Sequence, residues 1–177
     1  MKVLCISGKA GSGKDTFARL FKDVASEHGL DTLIIHNADL LKFMCTSIFG
    51  WNGKKDAVGR SMLQHIGTDV IRAQRPDFWV DYIADVLTFF NGAWDYVLVP
   101  DCRFPNEIER LREAGFDVLH VAIDRPGYDN GLTAEQKKHP SETAMDGERI
   151  DVLIENTSDI PGLTNAVREF LDDIRGN

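Results

Sequence analysis

The sequence has 177 residues, 43% of them apolar and 27% charged, which is typical of a water-soluble globular protein large enough to bury one core. We therefore expect a single domain over residues 1–177. Twenty Lys and Arg residues stand against 28 Asp and Glu, for a net charge of −8. This charge argues against a broad basic surface for nucleic acid or acidic lipid, so an anionic ligand has to be held by a local site.

The sequence pattern does not match that of membrane or secreted proteins. No apolar run approaches the roughly 20 residues of a membrane span, and residues 1–7 lack the long apolar region of a signal peptide. The three cysteines, Cys5, Cys45 and Cys102, are widely spaced, which favours reduced, buried thiols over a disulfide framework or a CxxC site. These features predict a cytoplasmic protein without a membrane partner.

The pattern of apolar residues predicts strands that alternate with helices. The expected strands cover residues 2–7, 32–36, 96–99, 118–123 and 152–154. The expected helices run from the first glycine-rich turn to about residue 28, from a cap at Asp39 to Ile48, through residues 54–90 with interruptions at Gly67 and Pro76, and through residues 105–114 and 161–174. This order predicts an α/β fold with a parallel sheet covered by helices on both faces.

Residues 125–149 do not fit the alternation. The segment is long and polar, and Pro and Gly residues are scattered through it. Thr133 and Gln136 have the spacing of a capping box, which indicates a short helix inside it. Because long loops in compact domains are commonly functional lids, we interpret about 125–149 as a mobile lid.

Residues Gly8–Lys14 match the pattern G-x-x-x-x-G-K of a phosphate-binding P-loop. In that motif, backbone N–H groups and a helix N-terminus surround the phosphates, and the lysine reaches the β and γ groups. The motif here follows a predicted strand and precedes an amphipathic helix, as it should. A dinucleotide fingerprint is excluded, because Thr16 stands at the position of its third glycine.

Two acidic residues are candidates for holding Mg²⁺. Asp15 follows Lys14, where the common motif has Ser or Thr, and a carboxylate is a ligand that Mg²⁺ accepts. The alternative for Asp15 is a favourable charge at the helix N-terminus. Asp101 ends an apolar strand, which is where the second acidic residue of P-loop proteins lies.

Two absences favour phosphoryl transfer to something other than water. Cys102 follows Asp101, so the neighbouring acid with which many hydrolytic ATPases position water is missing. The guanine-reading string Asn-Lys-x-Asp does not occur in the sequence, which argues against a regulatory GTPase.

A basic segment follows the second strand–helix unit. Residues 54–75 carry a local excess of three positive charges, which is what an anionic acceptor would need, although a solvated helix face is an equal alternative for any one residue. Gln64 could hydrogen-bond to a base and Trp79 could stack on one, but Trp79 also fits a core position. Arg103 and Arg125 follow strands at the edge of the sheet where ligands of α/β folds bind, and Arg125 is suited to neutralise charge in the transition state.

Five stretches of the sequence resemble the deoxynucleoside monophosphate kinases of bacteriophage type, with phosphomevalonate kinases as relatives. They are residues 8–16 with Asp after the lysine, residues 63–72, residues 76–79, residues 101–107 and residues 139–142. The Lys-Asp pair and the string Asp-x-Arg-Phe-Pro-Asn-Glu are more specific than a P-loop alone.

The resemblance implies a three-layer P-loop fold with strand order 2-3-1-4-5, an acceptor-binding arm at about residues 39–90, a lid, ATP and Mg²⁺ as cofactors, and small-molecule nucleotide substrates. The residue roles that we predict from it and from the motifs are as follows: catalysis by Lys14, Arg72, Asp101, Arg103 and Arg125; donor binding by Gly8, Lys9, Ala10, Gly11, Ser12, Gly13, Lys14, Asp15, Thr16 and Asn156; acceptor binding by Asp39, Lys42, Arg60, Gln64, Arg72, Trp79 and Glu142; and Mg²⁺ binding by Asp15 and Asp101.

Asn156 is included among the donor-binding residues because residues 155–158 resemble the loop that contacts the adenine of the donor. The usual glycine is absent there. His139 and Glu142 are implied to belong to the lid. Dimers are common among such kinases, so the resemblance leaves a homodimer open.

Two alternatives remain at this stage. One is a P-loop kinase with another acceptor, either phosphomevalonate or a hydroxyl compound, and a hydroxyl acceptor would require a carboxylate base such as Asp39. The other is a non-catalytic nucleotide-binding switch, against which the sequence offers no partner helix, repeat or tail.

Overall fold

The computed structural model describes residues 1–54, 56–157 and 159–176 as strands that alternate with helices. Five strands form one sheet: β1 (Lys2–Ser7), β2 (Thr32–Ile34), β3 (Tyr96–Val99), β4 (Asp117–Asp124) and β5 (Val152–Glu155). The helices are α1 (Lys14–Glu27), α2 (Asn37–Ser47), α3 (Ala57–Gln64), a π-helical segment (His65–Arg72), α4 (Phe78–Phe89), α5 (Pro105–Glu113), α6 (Ala134–Lys137), α7 (Pro140–Thr143) and α8 (Ile160–Gly176).

The sheet is parallel, and its order is β2-β3-β1-β4-β5. This confirms the predicted strand order and the α/β class. Because all strands run the same way, the loops after β1, β2 and β3 meet at one edge. Lys14, Asn37 and Asp101 follow these three strands, so the topology itself assembles the site.

Alternate residues of the strands pack against different helices. Leu4 and Ile6 of β1 lie with α1 and α8 in one buried cluster, whereas Val3 and Cys5 lie with α4 and α5 in a second cluster on the other face. This is the three-layer arrangement that alternation of side chains along a buried parallel strand requires.

A third, smaller apolar cluster lies outside these two layers. It contains Leu41, Cys45, Trp51 and Trp79, with side chains of the π-helical segment packed against it. The segment between β2 and β3 therefore has a core of its own, within the range predicted as the acceptor-binding arm.

Two predictions about helix boundaries are wrong. Asp39 is not the N-cap of α2; His36 is, and Asp39 is the third helical residue, where its carboxylate accepts the backbone N–H of His36 at 3.0 Å. Gly67 does not interrupt its helix, because the chain continues through it in the π conformation. A Cβ at Gly67 would lie 2.6 Å from Leu41 Cδ2, so this glycine serves close packing against α2.

Residues 125–149, the predicted lid, follow β4 and precede β5. They contain α6, for which Thr133 is the N-cap as predicted, and α7. Among the described residues, no helix combines the length and the apolar character that crossing a membrane requires.

Candidate active site

The loop between β1 and α1 has the shape of a phosphate cradle. Gly8, Gly11 and Gly13 all have positive φ angles, which glycine adopts without strain. A Cβ at Gly8 would lie 2.3 Å from the carbonyl oxygen of Ile123 on β4. Glycine is therefore required there by both backbone conformation and close packing.

Lys14 is folded back onto this loop. Its Nζ donates to the carbonyl oxygens of Gly8 at 2.7 Å and Lys9 at 2.9 Å. Burial, together with the positive charge of Arg103, lowers the pKa of Lys14 to about 8. A group with this pKa is stabilised as the cation when an anion arrives, which is the behaviour expected of a phosphate-binding lysine.

Asp15 and Asp101 both line the same cavity as Lys14. Asp101 accepts the backbone N–H groups of Asn37 at 2.8 Å and Ala38 at 3.0 Å, one on each carboxylate oxygen. Asp15 has a largely exposed side chain, and its Oδ1 lies 3.0 Å from His36 Nε2.

The two carboxylates are the type of ligand that Mg²⁺ takes beside phosphates. Within the described residues there is no group of three or more His, Cys, Asp and Glu side chains that could hold a metal ion. Mg²⁺ in such sites takes one or two carboxylates and completes its shell with water and phosphate oxygens, and each oxygen of Asp101 keeps a lone pair beyond its one N–H bond.

His36 is a residue of the site that the sequence analysis missed. Its ring lies between Asp15, at 3.0 Å from Nε2, and Asp39, at 3.2 Å from Nδ1. The hydrogen bond to Asp15 raises the pKa of His36, although burial opposes this. No sequence pattern pointed to His36, because the capping-box signature has Ser or Thr at the first position and Glu or Gln at the fourth.

Asp39 is held by several donors at once. Burial by itself would raise its pKa, but the backbone N–H of His36 and the Lys42 ammonium, 3.1 Å away, outweigh burial, so the pKa of Asp39 is lowered. Asp39 is therefore a poorly basic carboxylate.

The predicted lid lies directly on the phosphate loop. The carboxylate of Glu142 accepts the backbone N–H of Ala10 at 3.0 Å and Arg103 Nη1 at 2.6 Å. From the loop side, Lys9 Nζ donates to the carbonyl oxygen of Glu142 at 2.6 Å and to Asp146 at 2.5 Å. The Glu142 carboxylate thus occupies a backbone donor of the phosphate loop and the guanidinium of Arg103.

Arg125 and Asn156 make contacts with the loop rather than with the cavity. The Arg125 guanidinium stacks over Tyr128 at 4.1 Å and lies 3.4 Å from the carbonyl oxygen of Gly11. Asn156 is buried, and its Nδ2 donates to the carbonyl oxygen of Ser12 at 2.9 Å. Tyr128 also covers Gly11, where a Cβ would lie 2.5 Å from its ring. The sequence analysis missed Tyr128.

One cavity of about 460 Å³ extends from the phosphate loop into the arm, a size suited to a small ligand. Its wall includes most of the predicted residues: Ala10, Gly11, Lys14, Asp15, Lys42, Arg60, Gln64, Arg72, Trp79, Asp101, Arg103 and Glu142. Gly8, Lys9, Ser12, Gly13, Thr16, Asp39, Arg125 and Asn156 are not part of that wall. Lys55 and Ser158, which the sequence analysis counted in the basic segment and the adenine loop, lie outside the described residues.

Arg72 and Trp79 each have a partner within the protein. Arg72 Nη2 donates to the buried Glu107 at 2.6 Å, and the guanidinium lies over the Phe104 ring at 4.1 Å. Trp79 is 3% exposed, and its Nε1 donates to the carbonyl oxygen of Gly67 at 3.0 Å. Their predicted contacts with a substrate therefore stay predictions.

Glu107 is a supporting residue for which the sequence analysis assigned no role. It also accepts the backbone N–H groups of Arg103 at 2.7 Å and Phe104 at 3.2 Å. Burial raises the pKa of Glu107, and Arg72 opposes that shift. The sequence feature that could have indicated a role for Glu107 is its position at the end of the Asp-x-Arg-Phe-Pro-Asn-Glu string.

The sheet order and the position of the loop define a P-loop kinase fold. Over 97% of both chains, the structure matches an APS kinase of Mycobacterium tuberculosis, solved in complex with AMPPNP and APS, with a TM-score of 0.58 and 16% identity. It matches shikimate kinase from Aquifex aeolicus with a TM-score of 0.52 and 14% identity, over 100% of this chain and 98% of that one. At such identities the likeness concerns the fold.

The sequence comparisons identify the family. The family model described as deoxynucleotide monophosphate kinase matches residues 34–167, and the chain belongs to this family. It is 32% identical over 114 residues to the deoxynucleotide monophosphate kinase of Enterobacteria phage T4 and 29% identical over 114 residues to that of Escherichia phage RB69. Each match covers 63% of this chain and 44% of the relative, so the chain aligns with less than half the length of these curated proteins.

Proposed function

We propose that this protein transfers the γ-phosphoryl group of ATP to a deoxynucleoside monophosphate, giving ADP and the diphosphate. The observation that carries the proposal is the single cavity that joins a phosphate loop to a basic arm. The family membership and the names of the phage relatives support the acceptor class.

The donor side uses the phosphate loop. Backbone N–H groups of residues 8–14 and the ammonium of Lys14 would bind the β and γ phosphates, after Lys14 leaves the carbonyl oxygens of Gly8 and Lys9. Asp15 and Asp101 would hold Mg²⁺, which supplies charge neutralisation between the β and γ phosphates.

The acceptor side uses the arm. Lys42, Arg60 and Arg72 line the cavity and supply positive charge for a monophosphate, and Gln64 offers a hydrogen-bonding amide to a base. Since the acceptor is already an anionic phosphate oxygen, no general base is needed, and catalysis reduces to positioning and electrostatics.

A hydroxyl acceptor is the weaker alternative. It would need a general base, and the candidate Asp39 has a lowered pKa and is bonded to His36 and Lys42. Such a carboxylate is a poor proton acceptor.

Closure of the lid would complete the site. Arg103 and Arg125 would neutralise charge on the transferring group once Glu142 releases Arg103, and the closed lid would exclude water and limit hydrolysis. Adenine contact by Asn156 and assembly as a homodimer remain predictions. The three free cysteines are buried and agree with action in the reducing cytoplasm.

The test is ADP production from ATP and Mg²⁺ against a panel of acceptors. The panel contains the four deoxynucleoside monophosphates, their ribonucleotide counterparts, phosphomevalonate and a control without acceptor. We expect turnover that depends on one or more deoxynucleotides. Turnover without acceptor would indicate an ATPase, and ATP binding without turnover on any acceptor would indicate a binding module.

A further inference from the structure

Asn37 is a buried polar residue whose side chain has no partner. It is the first residue of α2 and is 5% exposed, and its backbone N–H donates to Asp101. Its side-chain atoms Oδ1 and Nδ2 are both buried, and neither has a hydrogen-bond partner among the described residues. A carboxamide offers two N–H donors and an acceptor oxygen, so all of its hydrogen-bonding capacity is unused.

Unpaired buried polar atoms destabilise a folded protein and are therefore uncommon. Among the described residues, Ser12 Oγ and Thr32 Oγ1 are the other buried side-chain atoms without a partner. Glu107, His120 and Asn156 are buried polar side chains that are bonded. A buried polar side chain without an internal partner destabilises the folded protein, so its presence requires an explanation outside the fold.

The position of Asn37 supplies that explanation. Asn37 lies in the wall of the cavity, between His36 and Ala38, which also line it. The same wall carries Lys14 of the donor side and Lys42 of the acceptor side. The unpaired amide is covered in this wall, so a rotation of the side chain would offer it to a ligand rich in acceptor oxygens.

We propose that Asn37 is a substrate-binding residue that donates from Nδ2 to a phosphate oxygen where the donor and acceptor phosphates meet. The identity of these phosphates, those of ATP or that of the deoxynucleoside monophosphate, rests on the proposed function. Neither the P-loop pattern nor the family resemblance singled out this residue.

The test uses Asn37→Leu, because leucine has nearly the shape of asparagine and removes both polar atoms. The matched control is Thr32→Val. Thr32 Oγ1 is also buried without a partner in the described structure, but it lies at the start of β2, beside a different cavity. Thermal unfolding of the ligand-free variants is measured first. Calorimetric titrations then follow with ATP in EDTA and, separately, with each of the four deoxynucleoside monophosphates.

We expect both variants to melt at or above the wild-type temperature, since each removes an unsatisfied polar group. Asn37→Leu should weaken the binding of ATP or of a deoxynucleoside monophosphate about tenfold or more, as loss of a hydrogen bond to a charged group does. The ligand whose affinity falls in Asn37→Leu identifies the phosphate that Asn37 binds. Thr32→Val should leave both titrations and turnover unchanged.

Two results would overturn the proposal. One is a lowered melting temperature of Asn37→Leu with unchanged binding, which would make Asn37 purely structural. The other is unchanged binding of every ligand at unchanged or higher stability. If Asn37→Leu does not fold, Asn37→Ala is titrated in the same way and read by the same criteria. A wild-type protein that binds ATP but transfers to no acceptor would refute the proposed function, while the ATP titration would still decide the role of Asn37.

Discussion

Among single residues, Glu142 engages donors of the phosphate loop and its surroundings. Its two carboxylate oxygens accept the N–H of Ala10 and the guanidinium of Arg103. Backbone N–H groups of such loops and arginines are the donors that phosphates use. Glu142 and the incoming phosphates therefore compete for the same groups.

Removal of this charge should favour the nucleotide. We expect Glu142→Gln to bind ATP about two- to tenfold more tightly, because a neutral amide is a weaker competitor for charged and backbone donors. The measurement is calorimetric titration with ATP in the absence of acceptor. The control is Glu148→Gln, which changes an exposed glutamate of the same segment. Weaker ATP binding by Glu142→Gln alone would show that Glu142 assists the donor instead.

The charge state of Lys14 should depend on the donor. With a pKa of about 8 in the ligand-free protein, Lys14 is about half protonated at pH 8. Bound phosphates raise that pKa, so ATP binding at pH 8 should take up about half a proton, and ATP affinity should fall as the pH rises further. Titration with ATP in buffers of different ionisation enthalpy measures the uptake.

Lys14→Met should remove this proton uptake, whereas Lys22→Met, which changes an exposed lysine of the same helix, should retain it. Uptake that persists in Lys14→Met would assign the proton to another group.

At the scale of secondary structure, the arm is joined to the sheet layer by a buried ion pair. Arg72, at the end of the π-helical segment, donates to Glu107 of α5 at 2.6 Å, and Glu107 also caps α5 through two backbone N–H groups. One carboxylate therefore connects the arm, the α5 N-terminus and the segment after Asp101.

Loss of Glu107 should be strongly destabilising. We expect Glu107→Ala to lower the free energy of unfolding by about 3–5 kcal/mol, because it leaves Arg72 uncompensated in a largely buried position. Urea denaturation measures the change, and Glu109→Ala on the exposed side of α5 is the control. A loss below about 1 kcal/mol for Glu107→Ala would mean that Arg72 finds another partner or solvent.

The elements themselves were largely predictable, and the exceptions have local causes. β1, the phosphate loop and α1 follow from a short apolar run, three glycines and an amphipathic pattern. The predicted start of α2 at Asp39 was wrong, because an acidic residue fits both the N-cap and the third helical position. The extended backbone of His36 shows that His36 is the N-cap. The π-helical segment has the same residue pattern as an interrupted α-helix, so its course depends on packing against Leu41.

At the scale of the whole molecule, the sheet order brings the predicted site residues to one edge. Lys14, Asp101 and the cationic residues Lys42, Arg60 and Arg72 of the arm line one cavity, and motif and spacing were enough to predict that they lie near each other. The contacts of Glu142, Tyr128 and Asn156 were not, since they join positions more than 110 residues apart in the chain. Pairings of that kind depend on how the lid lies on the loop, which no local pattern encodes.

The most direct test of the account is the fate of the γ-phosphate. Wild-type protein and Lys14→Ala are incubated with Mg²⁺, γ-labelled ATP and the deoxynucleoside monophosphates, and the products are separated. We expect label in a deoxynucleoside diphosphate for the wild type, and a transfer rate that is lower by about a hundredfold or more for a folded Lys14→Ala. Release of the label only as inorganic phosphate, or full transfer by Lys14→Ala, would contradict the account.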